Sequence, residues 1–219
     1  MVKLSQIPHP YHHSADKNLI QRLIDWALPV GLFILYFTLY NFGKFTPPEM
    51  IKTTGLMAIA LLSITLVIGP LSRFVPSINV FKAHRKFWGI SSFVFLVIHA
   101  CLVVIIYFEL NIFGIFNTAS PKFIGLFAGF ISLLVLLLVT VTSNHRLIKH
   151  LNPEMWKKIQ TTSYIALTLA VIHFYLMELK DGVLVINRSL GQITFWFATI
   201  VVLFRLIVFF LPKKDESQN

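Results

Sequence analysis

Apolar and polar positions divide the chain into six long apolar runs joined by short polar segments. The runs cover residues 26–42, 51–72, 87–108, 122–142, 156–177 and 190–211. Each approaches the roughly 20 residues a helix needs to cross the hydrocarbon core of a bilayer. Backbone N–H and C=O groups find no water there, so the runs predict helices that satisfy their own hydrogen bonds. The expected fold class is all-α, an integral membrane bundle of six helices. Residues 26–211 form its transmembrane domain, 1–25 an N-terminal tail and 212–219 a C-terminal tail.

Composition supports this pattern. Hydrophobic residues make up 56% of 219 positions and the mean hydropathy is +0.76, far above that of an ordinary soluble domain. The short loops leave no room for a soluble catalytic domain, a Gly-rich phosphate loop or a fused nicotinamide or flavin-nucleotide module. A net charge of +10 raises nucleic acid as a partner, but the distribution excludes it. Lys3, Lys17 and Arg22 precede the first run, Arg73, Lys82, Arg85 and Lys86 follow the second, Arg146, Lys149, Lys157 and Lys158 follow the fourth, and Lys213 and Lys214 follow the sixth. The alternate loops hold only Lys44, Lys52, Lys122, Lys180 and Arg188. Basic loops face the cytoplasm, which places both termini there in a multi-pass protein surrounded by lipid.

The N-terminal tail carries His9, His12 and His13 without the spacing of a closed metal site. It reads as a solvated tail, with residues 18–26 as an amphipathic helix on the membrane surface, and shows no cleavage pattern of a signal peptide. Cys101, the single cysteine, cannot form an intrachain disulfide and reads as an apolar packing residue.

Ionisable groups within apolar spans are costly and point to function. The clear cases are His99 in the third run, His173 in the fifth and Arg205 in the sixth, with no carboxylate inside any run. Arg205 is near enough to a helix end to snorkel towards headgroups. The histidines are not. His99 lies roughly 20 Å along its helix and His173 roughly 25 Å along its own, both counted from the cytoplasmic side. Two parallel helices thus each bring one imidazole to the outer half of the membrane, as a six-coordinate haem requires. The face of His173 carries Ala170, Ala166, Ser163 and Thr162, and the face of His99 carries Ser92 and Gly89, small residues against which a flat macrocycle can lie. Small residues also allow close helix packing, the role expected of Gly125 and Gly129. The alternative for the histidines is a hydrogen bond to a hydroxyl such as Thr140 or Ser132 that serves packing, or a place in a proton path. The favoured expectation is haem held between the third and fifth helices.

His84 precedes His99 by about four turns and suggests a second site near the cytoplasmic surface. The matching position on the fifth helix, 13 residues before His173, is Gln160, a poor haem ligand. Other partners are available in the loop between the fourth and fifth runs, where His145 and His150 lie. A solvated or headgroup-facing His84, among Lys82, Arg85 and Lys86, is the simpler expectation.

These residues also form a familiar pattern. Thr54-Gly55, Ala58, Leu62, Thr65-Leu66, Pro70-Leu71 and Arg73, then Arg85, Gly89 and His99, then Thr142-Ser143, Trp156, Gln160, Tyr164 and His173 resemble the ferric reductase-like transmembrane domain over roughly residues 50 to 211. The likeness is strongest to the haem-binding membrane subunits of bacterial periplasmic methionine-sulfoxide reductase systems. The resemblance implies haem b in the bacterial inner membrane, with axial ligands at His99 and His173. It implies electrons arriving from the quinol pool or a cytosolic flavin reductase and leaving to a periplasmic molybdenum-cofactor reductase subunit, with flavin mononucleotide as a second cofactor. The family's additional histidine falls on Gln160, so one haem b per chain is expected. Two other functions stay open. One is a ferric or cupric metalloreductase, although the outer loops offer only Glu49, Glu109, Glu178 and Asp181. The other is a haem-free transporter or assembly factor.

Overall fold

The computed structural model describes residues 19–144 and 151–210. Among them, six helical spans are long and apolar enough to cross a membrane. The first joins α1 (Leu19–Leu35) to a π-helical turn (Tyr36–Tyr40); α2 (Pro47–Leu71), α3 (Arg85–Ile106) and α4 (Phe123–Thr142) follow. The fifth span is α5 (Pro153–Thr161) and α6 (Ser163–Glu178), and the sixth is α7 (Ser189–Phe210). Short 3-10 helices, Pro76–Ala83 and Ile112–Phe116, occupy the connections before α3 and α4. A two-stranded hairpin, β1 (Leu179–Lys180) and β2 (Val183–Leu184), leads from α6 towards α7. Its turn residues Asp181 and Gly182 both have positive φ, the conformation that matches the twist of a tight hairpin.

The outside of this bundle is apolar: Phe113, Phe210, Leu19 and Phe209 are among the most exposed residues, as suits a surface that meets lipid. The protein core is narrow and centres on α2, whose most apolar 18-residue stretch is 72% buried, against 28% or less for the corresponding stretch of each other span. Ile59, Leu62 and Leu66 of α2 meet Leu136 and Val139 of α4, Ala166 and Leu167 of α6, and Ala198 and Val201 of α7. A second cluster joins Leu56, Met57 and Ala60 of α2 to Tyr36 and Tyr40 of the π-helical turn.

Three features depart from the sequence expectations. The stretch expected to lie on the membrane surface is instead the beginning of α1, which runs without a break from Leu19 into the first span. That places a carboxylate, the buried Asp25, inside a span. The fifth span is interrupted at Thr162, where the Thr162 and Ser163 hydroxyls donate to the carbonyls of Ile159 and Gln160 at 2.7 Å and 2.6 Å. Hydroxyls that bond back to the preceding turn compete with the helical backbone and bend it. Cys101 is exposed, on the lipid-facing side of α3 and not among the packing residues. The tails, with His9, His12 and His13, and the connection carrying His145 and His150 lie outside the described residues.

Candidate functional site

His99 projects from α3 and His173 from α6, and the structure brings them together. Their ring centres lie 6.1 Å apart with the ring planes at 82°. Both side chains are half-buried. Neither bonds a hydroxyl. His99 Nδ1 lies 2.8 Å from the carbonyl oxygen of Ile51 on α2, and His173 Nδ1 lies 2.7 Å from that of Gly125 on α4. A carbonyl can only accept, so Nδ1 carries the proton in both rings and each Nε2 keeps its lone pair.

One turn beyond each acceptor, a glycine makes room for the ring. A Cβ on Gly55 would stand 3.0 Å from His99 Nδ1, and one on Gly129 would stand 2.7 Å from His173 Nδ1. The two supports are built alike. Ile51, Gly55 and Ala58 of α2 correspond to Gly125, Gly129 and Ser132 of α4, and Ser92 and His99 of α3 correspond to Ala166 and His173 of α6. The second member of each pair stands 74 residues after the first, as 173 does after 99. Serine hydroxyls lock both helix pairs: Ser92 donates to the Ala58 carbonyl at 2.7 Å, and Ser132 donates to that of Ala166 at 2.8 Å. The sequence reading found both histidines but not Gly55 as a support, nor the carbonyls, nor this repeat. The constant spacing of glycine and histidine in the two halves was the available signal.

The small residues expected to flank a macrocycle are distributed as follows. Ser92 and Ala166 are fully buried at the α2–α3 and α4–α6 contacts. Gly89 faces Thr65 of α2, with a Cβ position 3.7 Å from its methyl group. Ala170 borders the main core cluster. Gln160 is committed to α4, where its Nε2 donates to Val139 O at 3.1 Å and Ser143 Oγ at 3.1 Å.

His84 is not solvated. It is 5% exposed, and its Nδ1 lies 2.8 Å from Oδ1 of Asp25, itself 4% exposed. Trp88 stacks on its ring at 5.5 Å and donates Nε1–H to the Asp25 carbonyl. The expectation failed because the neighbouring cations suggested solvent while α1, which begins at Leu19 and so about two turns before the expected start of the first span, supplied a buried carboxylate. The guanidinium of Arg205 lies over the Tyr164 ring, 4.9 Å from the centre.

Beyond the histidines, the ends of α2 and α6 are tied by the Lys52–Glu178 ion pair at 3.1 Å. Lys122 donates its ammonium to the carbonyls of Leu176, Met177 and Leu179 at 2.9 to 3.1 Å, which fixes the end of the helix that carries His173.

The fit to haem rests on these imidazoles. Iron bonded to both Nε2 atoms at the usual metal–nitrogen distance of about 2 Å would set the ring centres about 6 Å apart. The observed separation matches. Among the described residues no three His, Cys, Asp or Glu side chains converge on one point, so a bare ion has no full protein ligand set there. A porphyrin asks the protein for axial ligands alone.

Comparison with known proteins agrees with the fold. The chain is 25% identical to the magnetosome protein MamZ of Paramagnetospirillum magneticum over 197 residues, and 24% identical to that of Magnetospirillum gryphiswaldense over 196. Each match covers 83% of this chain and 29% of the relative, so the chain spans less than a third of the length of these proteins. The model of the ferric reductase like transmembrane component matches residues 54–171, more than half of the chain, including His99 and ending just before His173. The chain belongs to the ferric reductase-like transmembrane family.

Proposed function

We propose that this protein is a membrane electron-transfer subunit that holds one haem b between His99 and His173. The observation that carries the reading is the matched imidazole pair at 6.1 Å, each with its Nδ1 bound to a backbone carbonyl. Bound haem supplies reversible one-electron chemistry. The chain's own part is orientation. The Ile51 and Gly125 carbonyls fix the tautomer and raise the basicity of each ligand nitrogen, Gly55 and Gly129 let the rings approach, and the surrounding apolar helices keep water from the site. Among the described residues no acid–base pair adjoins the histidines, and the reading assigns the substrate chemistry to a partner.

The likeness to haem-binding subunits of methionine-sulfoxide reductase systems supports a finer reading. Electrons come from the quinol pool or a cytosolic flavin reductase, and the acceptor is a periplasmic molybdenum-cofactor subunit. The protein lies in the bacterial inner membrane with both termini in the cytoplasm. Flavin mononucleotide remains an assignment by family likeness alone. The remaining small residues, Ser92, Gly89, Ala166 and Ala170, belong to the haem-bearing helix pairs. His84 is assigned to the tie with Asp25 and not to a second haem.

The test is an absorption spectrum of the purified protein with a pyridine haemochrome assay. A Soret band with about one haem b per chain is expected. A protein without a Soret band after expression with ample haem would favour the transporter or assembly reading.

A further inference from the structure

Towards the end of the bundle where α3 begins, three arginines gather around one turn of α2. Arg85 donates Nε–H to the Thr65 carbonyl at 2.9 Å. Tyr164 donates its hydroxyl to the next carbonyl, that of Leu66, at 2.8 Å. Arg205 lies over the Tyr164 ring, 4.9 Å from its centre. Phe74 and Phe204, the chain neighbours of Arg73 and Arg205, have ring centres 5.9 Å apart. All three guanidinium groups are within electrostatic reach of the Tyr164 hydroxyl.

Positive charge dominates this corner. Arg205 is the only charged residue in the 22 residues of α7. The described ion pairs join Lys52 to Glu178, His84 to Asp25 and Arg188 to Glu49, and among the described residues no carboxylate pairs with Arg73 or Arg205. The contact with an aromatic face offsets only part of the cost of placing an arginine in an apolar span. An anion from outside the chain removes the remainder, and the planar guanidinium fork matches phosphate oxygens. The flanks of the cluster are apolar and open: Phe74, Leu203, Leu206 and Ile207 are all more than half exposed.

We propose that Arg73 and Arg205, beside Arg85, bind a phosphate group, presented by the headgroup of an anionic phospholipid whose acyl chains lie along α7. The charge comes from the headgroup, and the exposed face of α7 receives the chains. This assignment is independent of the haem.

Thermal unfolding of the full chain in a neutral detergent tests it, with dihexanoyl phosphatidylglycerol, dihexanoylglycerol or inorganic phosphate as the added probe. Phosphatidylglycerol is expected to raise the melting temperature by several degrees, while dihexanoylglycerol leaves it unchanged. Arg205→Gln should lose the shift. Arg73→Gln, at an exposed position that the fold tolerates, should reduce it. A shift reproduced by inorganic phosphate alone would keep the phosphate site and overturn the lipid as its source. Equal stabilisation by both lipids, or a full response in both variants, would overturn the site.

Discussion

Each imidazole of the histidine pair has one nitrogen engaged and one free, a division that suits two ordinary side chains to the ligand role proposed for them. The histidines were legible because ionisable groups stand out in apolar runs. Their supports were not: every residue has a carbonyl, and glycine in a membrane helix reads first as a packing residue. Gly129 carries the larger consequence, since a Cβ there would lie 2.7 Å from His173 Nδ1. Gly129→Ala should push the ring off the Gly125 carbonyl. Overpacking of this kind costs about 2 kcal/mol, roughly thirtyfold in haem affinity. Haem titration of the apoprotein measures it, and unchanged affinity would show that the glycine supports nothing.

At the scale of elements, α1 was the least legible. Its first turns mix Gln21, Arg22 and Asp25 with Leu and Ile, a pattern that suits a membrane surface equally well. Only the fold shows Asp25 turned inward to His84. The break at Thr162 was similarly hidden, because hydroxyls in a helix either bond back or face a neighbour and the sequence does not say which. α2, α3, α4 and α7 were visible as uninterrupted apolar runs, and their bounds differ from the expected ones by a few residues. His84→Ala removes the tie between α1 and the start of α3. It should destabilise the protein by about 2 kcal/mol, as expected for a buried hydrogen bond involving a charged partner, and leave the haem spectrum intact. Chemical or thermal unfolding gives the first value and the Soret band the second; loss of the band would move the ligand assignment to the other end of the bundle.

For the whole molecule, two helix pairs of like construction, α2–α3 and α4–α6, each deliver one histidine to a shared point. The six spans and the family were readable from apolar runs and spaced motifs, whereas the likeness between the two halves rests on few residues and emerged from the hydrogen bonds. The proposed orientation, read from the alternating basic loops, has both ends of the chain in the cytoplasm. A reporter fused after Asn219 that is active only in the cytoplasm should therefore give signal, and a silent one beside an active periplasmic reporter would reverse the orientation.

The central claim, that His99 and His173 together hold one haem, is tested most directly by the visible spectra of His99→Ala, His173→Ala and His84→Ala at equal protein content. Either of the first two substitutions should abolish the low-spin α band while the helices stay inserted, and the third should retain it. A low-spin band that survives in His99→Ala and disappears in His84→Ala would contradict the assignment.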